Sequence, residues 1–422
     1  MPAPPQVIAQ ITHQQQVWLE QVPVSASRDP GHWRCPQAPI SEAPPPIDPR
    51  LCGLPGDQAA ALQAIFDELG ENLPALLRSG RLVNIHCEDE LPVPDWSPAR
   101  YLLVSVELDA AHPWPRQRPG WHGRWQARAD WLRQFADGEI LLNPVSRAIL
   151  ERKIAAAPAY DEPVAGLRIF PVRSHTLPPA THTNAFVLGD GPYVLVDPSP
   201  ADRTVYTDLK ERLTDWPLDR IFLTHHHPDH HQQANLLARE LSLPIQCSAD
   251  TEARIRRRFG PDWWRGIPYL PATDGQILTR NGDLPIRLHA VPGHDAGQLA
   301  PTAEDGRWMI VGDLIQGIGT VVIAAPEGNM ADYFATLERV IGMQPRVIVP
   351  SHGQAMGGTY RLEATLAHRR AREARIAELT ARGLDADAML PELYAEVDRR
   401  LWPLARMNVV SHLQKLREEG RI

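Results

Sequence analysis

The sequence predicts a layered α/β domain over residues 164–358, set between a mixed α+β front segment, 1–163, and a helical tail, 359–422. Three observations carry that reading. Short apolar runs alternate with helix-like stretches through the middle of the chain. Most of those runs end in a polar residue. Histidines and aspartates gather just past the ends, where an α/β sheet collects its chemistry.

Bulk properties narrow the field. At 422 residues the chain exceeds one ordinary core and should divide into two or three domains. Hydrophobic residues make up 43% and charged residues 22%, the balance of a soluble globular protein. The net charge of -8 weighs against a surface that grips nucleic acid throughout, but leaves room for a local basic patch. Cys35, Cys52, Cys87 and Cys247 form no C-x-x-C pair, so neither a zinc ribbon nor a redox dithiol is indicated, and a reducing compartment fits. The N-terminal "MPAPPQVIAQITHQQQ" lacks the basic and apolar regions of a signal peptide, and no apolar run nears the ~20 residues that span a bilayer. A cytoplasmic protein without membrane association is expected.

The front segment is rich in proline but holds regular pieces. "DQAAALQAIFDELGENLPALL" places Leu62, Ile65, Phe66, Leu69 and Leu73 at the spacing of one amphipathic helix. "RYLLVSVEL" reads as a strand, and "RADWLRQFADGEILL" as a helix closed near Gly138 and followed by an extended run. In the middle, strands are expected at 187–188, 194–196, 221–223, 309–311 and 347–349, with polar exits at Asp197, Thr224, Asp313 and Ser351; "ADYFATLERVIG" is helical. In the tail, "LEATLAHRRAREARIAELTARG" ends at a glycine stop; "ELYAEVDRRL", with Pro391 at its first turn, and "ARMNVVSHLQKLREEG" are two more helices.

"LTHHHPDHH", 223–231, follows one of the strands. If its residues alternate, His225 and His227 face one ion while His226 points away. Pro228 turns the chain, which sets Asp229 and His230 beside the first pair, near a second ion. Imidazole with a few carboxylates suits zinc, with iron and manganese as other fits. Three further candidates sit at matching junctions beside small residues: His294 in "AVPGHDAGQL", Asp313 in "MIVGDLI" and His352 in "VIVPSHG". The neighbouring glycines are expected to keep backbone bulk away from the metal.

This ordered set, H-x-H-x-D-H, then G-H, G-D and H-G, resembles the metallo-β-lactamase superfamily. The resemblance implies a four-layer αββα fold. It implies that His225, His227 and His294 hold a first metal, that Asp229, His230 and His352 hold a second, and that Asp313 bridges them. Asp197, in "VLVDPSP", matches an early aspartate that supports the site from behind the ligands. Two zinc ions so held imply a hydrolase, in which a bridging hydroxide attacks an ester, thioester or phosphodiester and Asp229 orients it. His226 and His231 are expected to be satisfied or solvent-facing. Relatives often carry an apolar residue and glycines where this chain has "HHQQAN", and glycine in place of Ser199, so one pocket wall should differ. Flavin-dependent di-iron relatives usually place a glutamate in the first motif; His227 stands there instead.

The flanks carry further resemblances. "AHRRAREARIAEL", "ELYAEVD" and "VVSHLQKLREEGRI" resemble the winged-helix extension of the lactamase-β-like protein 2 subgroup, which includes a human endoribonuclease; "GTVVIAAPEGNMADYFATLERV" is similar to the same subgroup, with Asn329 where an acid is common. RNA is therefore the alternative substrate. Arg369, Arg370, Arg372 and Arg375 offer phosphate contacts, but Glu373 and Glu378 at helical spacing favour a solvated helix face. The tail is expected to pack on the catalytic domain and shape its mouth. Arg256, Arg257 and Arg258 in "RIRRRFG" are candidates for gripping a phosphate-bearing substrate such as RNA or coenzyme A. The front segment resembles a degenerate Nudix domain. "ALQAIFDELGEN" occupies the catalytic box, where Gln63 and Ala64 replace the Arg-Glu pair and leave Asp67 and Glu68, so binding, homodimerisation or stability are the roles left to it. The other class in play is a non-catalytic, metal-binding regulatory module.

Overall fold

The structure is a computed structural model; it describes residues 5–27, 29–40, 54, 56–92, 100–111, 121–155, 158–317 and 319–422. The chain divides into two compact units, Met1–Ala165 and Gly166–Ile422. No helix among the described residues is long and apolar enough to cross a membrane.

The first unit is built on a seven-stranded mixed sheet. Its elements are β1 (Gln6–His13), β2 (Gln16–Gln21), β3 (Trp33–Arg34), β4 (Gln37–Pro39), α1 (Gly56–Glu68), α2 (Leu73–Arg78), β5 (Leu82–Leu91), β6 (Tyr101–Leu108), β7 (His122–Ala127), α3 (Arg128–Ala136) and α4 (Pro144–Glu151). The spatial order is β3-β2-β1-β6-β5, with β4 on β1 and β7 on β2. Alternation along β1 explains the layering. Val7, Ala9 and Ile11 face α1 and α2, while Ile8 faces a second core with Trp131 and Ile149 of α3 and α4. The single helix expected over 57–77 is interrupted: Gly70 adopts φ +79°, and Asn72 starts α2 by accepting from the Ala75 amide. After Gly138, the expected extended run makes only one isolated bridge, from Leu142 to Trp33.

The second unit stacks two six-stranded sheets between helices, the α/β layering that the sequence implied. The first sheet runs β13-β12-β11-β10-β9-β8, from β8 (Arg168–Arg173), β9 (His182–Leu188), β10 (Tyr193–Val196), β11 (Leu218–Phe222), β12 (Ile245–Cys247) and β13 (Tyr269–Pro271). Strands β10 to β13 are parallel, so their exits lie at one end. The second runs β14-β15-β16-β17-β18-β19, from β14 (Ile277–Asn281), β15 (Leu284–Ala290), β16 (Leu299–Ala303), β17 (Met309–Gly312), β18 (Val347–Pro350) and β19 (Met356–Gly357). Helices α5 (Arg203–Arg212), α6 (Pro228–His231), α7 (Ala234–Glu240) and α8 (Ala249–Phe259) follow strands of the first sheet. Helix α9 (Met330–Met343) lays Tyr333, Leu337 and Val340 on Met309, Val311 and Ile348 of the second. Asn329 caps α9 by accepting from the Ala331 and Asp332 amides, a task an acidic residue performs equally well.

The tail contributes α10 (Tyr360–Ala381), α11 (Ala386–Leu393) and α12 (Trp402–Glu418). Here the middle helix departs from expectation. With Asp385 as its cap, it begins at Ala386, six residues before the "ELYAEVDRRL" reading placed it, and Pro391 lies inside it. The bond Pro391 cannot make would have gone to the Asp387 carbonyl, and Asp387 is exposed, so water can satisfy it.

Candidate metal centre

Four chain segments bring the seven candidate ligand side chains to one end of the two sheets. His225, His227, Asp229 and His230 leave β11 and enter α6; His294 follows β15; Asp313 follows β17; His352 follows β18. Their donor atoms form the groups His225–His227–His294, His225–His230–Asp313 and Asp229–His230–His352, each within 4.8 Å. His225 Nε2 and His294 Nε2 lie 3.0 and 2.9 Å from His227 Nδ1. Asp313 lies 3.6 Å from both His230 Nε2 and His294 Nε2, and 3.5 Å from His352 Nε2. His352 Nε2 is also 3.5 Å from Asp229.

The outer ring nitrogens decide what the inner ones can do. His225 Nδ1 faces Thr224 Oγ1 at 3.1 Å; that hydroxyl spends its own proton on Asp197, so it accepts. His230 Nδ1 donates to Asp197 at 2.9 Å, His294 Nδ1 to the Val322 carbonyl at 2.8 Å, and His352 Nδ1 to the His182 carbonyl at 2.9 Å. His227 Nε2 donates to Glu327 at 3.4 Å. Each imidazole thus keeps its proton on the outside and turns a lone pair inward. Thr176 Oγ1 reaches His352 Nε2 at 3.4 Å, whereas His230 Nε2 and Asp313 Oδ1 are buried with no hydrogen-bond partner among the described residues. Imidazole lone pairs facing one another around buried carboxylates fit divalent cations.

Electrostatics follow from burial. Burial, helped by the neighbouring imidazoles, holds His225 well below its ordinary pKa and brings His294 down to about 4. At His230 and His352 burial pushes the same way, but their acidic and hydrogen-bond partners, Asp313 foremost, together outweigh it and both are raised, so a cation held there would displace the inner proton. Burial would raise Asp313, yet His352 and His230 hold its carboxyl well below the usual range.

Two of the glycines beside these residues have a packing role. A Cβ on Gly293, at φ +136°, would stand 2.4 Å from the Tyr333 Cα, and one on Gly353, at φ +107°, 2.8 Å from the Gly317 Cα. They permit close packing of these loops on neighbouring backbone.

Other residues singled out in the sequence occupy distinct places. Asp197, fully buried at φ +46°, accepts from the Thr224 amide and hydroxyl and from His230. His226 lies past the end of β11, so strand alternation does not fix its direction; its Nδ1 lies 2.5 Å from buried Asp295 and its Nε2 3.2 Å from Glu327, with which, and with His227, it makes a further group able to hold an ion. His231 is buried between Phe259 and Trp263, with Nε2 on the His226 carbonyl. Gln232 takes up the changed wall by bonding Ser199 and the His175 amide. Arg256, Arg257 and Arg258 are exposed on the last turn of α8, Arg256 paired with Glu252.

The arginine run of α10 divides between the interior and the solvated, acid-paired face that was expected, with Arg370 and Arg375 exposed. Arg369 is buried and bonds the Val321 carbonyl and Asn408; Arg370 pairs with Glu338; Arg372 bonds the Leu393 carbonyl and stacks on Tyr394; Arg375 pairs with Glu378 and Glu392. Glu327 and Asp295 were not found from the sequence. Glu327 sits in an irregular loop 100 positions from His227, and only the G-H-D spacing beside His294 marked Asp295's neighbourhood.

Comparison with known proteins agrees with this architecture. Residues 178–352 match the metallo-beta-lactamase superfamily, and residues 386–422 the beta-lactamase associated winged helix domain. A beta-lactamase-like protein 2 homolog of Drosophila melanogaster is 28% identical over 253 residues, which are 57% of this chain and 84% of that protein. A hydroxyacylglutathione hydrolase of Cereibacter sphaeroides is 28% identical over 200 residues, 46% of this chain and 72% of that protein. In fold, a beta-lactamase domain protein from Burkholderia ambifaria aligns at TM-score 0.52 and 22% identity, covering 63% of this chain and 92% of its own. A metallo-beta-lactamase family protein from Thermus thermophilus aligns at TM-score 0.50 and 24% identity, covering 61% and 95%. Residues 178–352 therefore form a metallo-β-lactamase superfamily domain, with hydroxyacylglutathione hydrolases among its relatives, and residues 386–422 a β-lactamase associated winged helix domain.

Proposed function

We propose that the chain is a dinuclear hydrolase, with zinc the metal best matched to its donors and iron or manganese as substitutes. The observation that supports this most is the set of outward protons just described, which leaves five imidazole lone pairs and two carboxylates facing one hollow. His225, His227 and His294 would hold the first cation, Asp229, His230 and His352 the second, with Asp313 between them. Two bound cations supply a lowered pKa for water and Lewis acidity toward a carbonyl or phosphoryl oxygen. Asp229, partly exposed beside His352, orients the attacking water and receives its proton. Cys35 and Cys247 do not compete as nucleophiles, since burial pushes Cys35 up to about 12 and Cys247 higher still.

The proposed substrate is a small ester or thioester. The hydroxyacylglutathione hydrolases among the relatives, the charge of -8 and the internal commitment of the α10 arginines support it. A phosphodiester, RNA included, is the second reading, favoured by the exposed arginines of α8 and the similarity to beta-lactamase-like protein 2 homologs. The front unit would be a degenerate Nudix-like domain with a binding or dimerising role; Asp67 there is engaged with Gln63 on α1. The test is metal content together with turnover on esters, thioesters, phosphodiesters and RNA. Two equivalents of metal with thioester or ester turnover is the expected result. Metal without turnover on any member of the panel would favour the regulatory module, and a chain that takes up no metal would end the hydrolase reading.

A further inference from the structure

The loop 320–323 has no helix or strand, yet it carries the carbonyl that sets the tautomer of a metal ligand. Three consecutive residues divide its duties. The Val322 carbonyl accepts from His294 Nδ1 at 2.8 Å. The groups on either side belong to the tail: the Val321 carbonyl accepts from Arg369 of α10, and the Ile323 amide donates to Asn408 Oδ1 of α12 at 2.9 Å. In an extended segment the carbonyl of one residue and the amide two positions on share an edge, and the carbonyl between them points to the opposite edge. Here the tail takes the Val321 carbonyl and the Ile323 amide, and the Val322 carbonyl between them goes to His294.

The grip is closed on itself. Arg369 Nη1 donates to the same Asn408 Oδ1 at 3.1 Å, and Nη2 reaches Thr320 Oγ1 at 3.4 Å. Arg369 and Asn408 are 3% and 4% exposed, and Val321 and Ile323 are also buried, so water is excluded from an irregular backbone that would otherwise need it. A guanidinium and an amide buried at this depth are costly unless their partners are fixed, which makes the arrangement rigid once formed.

We propose that Arg369 and Asn408 are positioning residues for the first metal: through the 321–323 segment, the winged-helix tail fixes the ring of His294. The tail then acts on the metal centre, and neither side chain touches substrate. The proposal rests on the two-metal reading, and its test keeps the two apart. Cobalt is titrated into the apoprotein, and binding at each site is followed by absorption and by chelator competition. Wild type must first take up two equivalents; if it takes up none, the metal reading falls and the clamp falls with it.

Given two equivalents in wild type, Asn408→Ala is expected to weaken the first, His225–His227–His294 equivalent about 10-fold and to change its spectrum, while the second equivalent keeps its affinity. Asn408→Asp retains an acceptor for both Ile323 and Arg369 and is expected to restore the first equivalent. Unchanged affinity and spectrum in Asn408→Ala would overturn the proposal. So would equal weakening of both equivalents, the mark of a merely structural role, or failure of the aspartate to rescue. Should Asn408→Ala not fold, Arg369→Lys serves instead. One ammonium cannot span Val321 and Asn408 together, so a smaller loss confined to the first equivalent is expected, and no loss overturns the proposal.

Discussion

His227 gives its Nε2 to Glu327, 3.4 Å from Oε2, and by doing so turns Nδ1 toward His225 and His294. The hydrogen bond to His227 is the main reason that the Glu327 carboxyl is held down to about 2, so it stays ionised across the neutral range. A carboxylate behind a ligand imidazole fixes its tautomer and raises its basicity. Glu327→Ala should therefore weaken metal binding about 10-fold in a chelator competition, and Glu327→Gln, which still offers an acceptor oxygen, by less. Equal affinity in wild type and Glu327→Ala would show that His227 needs no such support.

Asp197 serves two ligands at once. It accepts from His230 directly and reaches His225 through the Thr224 hydroxyl, at 2.9 and 2.6 Å. An amide in its place presents a donor to one of these groups. Asp197→Asn is expected to lower metal affinity by about 10-fold or more, with little change in secondary structure. Metal analysis after dialysis against a chelator reads the loss. Full retention of both equivalents would mean the aspartate matters only for folding.

His226 and His227 are neighbours with opposite duties, and their alanine variants should separate. His227→Ala should lose an equivalent of metal and the activity. His226→Ala should keep both equivalents but leave Asp295, fully buried, without its closest partner. Removing one member of a buried pair costs about 3 kcal/mol, so a fall of several degrees in Tm is expected for His226→Ala. Equal loss of metal in the two variants would refute the division of labour.

These residues also show what the sequence could disclose. That these seven side chains meet was legible because each lies beyond a strand whose apolar run announces it, and because the order of the motifs is specific. Glu327 was not legible: it comes from an irregular loop, and only the tertiary fold brings it to His227. Arg369 misled for a different reason. Alternating charge at helical spacing describes a solvated face, but α12, arriving 39 residues later, buries that part of α10. Propensity read Leu62 to Leu73 as one helix, whereas Gly70 at φ +79° and the Asn72 cap divide it.

The tail itself depends on a buried acid, which gives its stability a defined pH dependence. Glu373 accepts from Lys415 at 3.0 Å and Arg421 at 2.6 Å, and faces His412 at 3.3 Å, tying α10 to α12. Burial alone would raise its pKa, but these partners outweigh burial and hold it down to about 2. A carboxyl whose folded pKa lies below its unfolded value, ~4.3, stabilises the fold above that value and loses the contribution as pH falls toward the folded one. At pH 7, Glu373→Gln should therefore be less stable by about 2 kcal/mol, somewhat under the cost of deleting a partner because glutamine still accepts hydrogen bonds. Between pH 4.5 and pH 2, wild type should lose stability faster than the variant, and the gap between their melting temperatures should close. Thermal unfolding followed by circular dichroism across that range checks it. A gap that stays constant down to pH 2 would show that the carboxylate charge is not what joins α10 to α12.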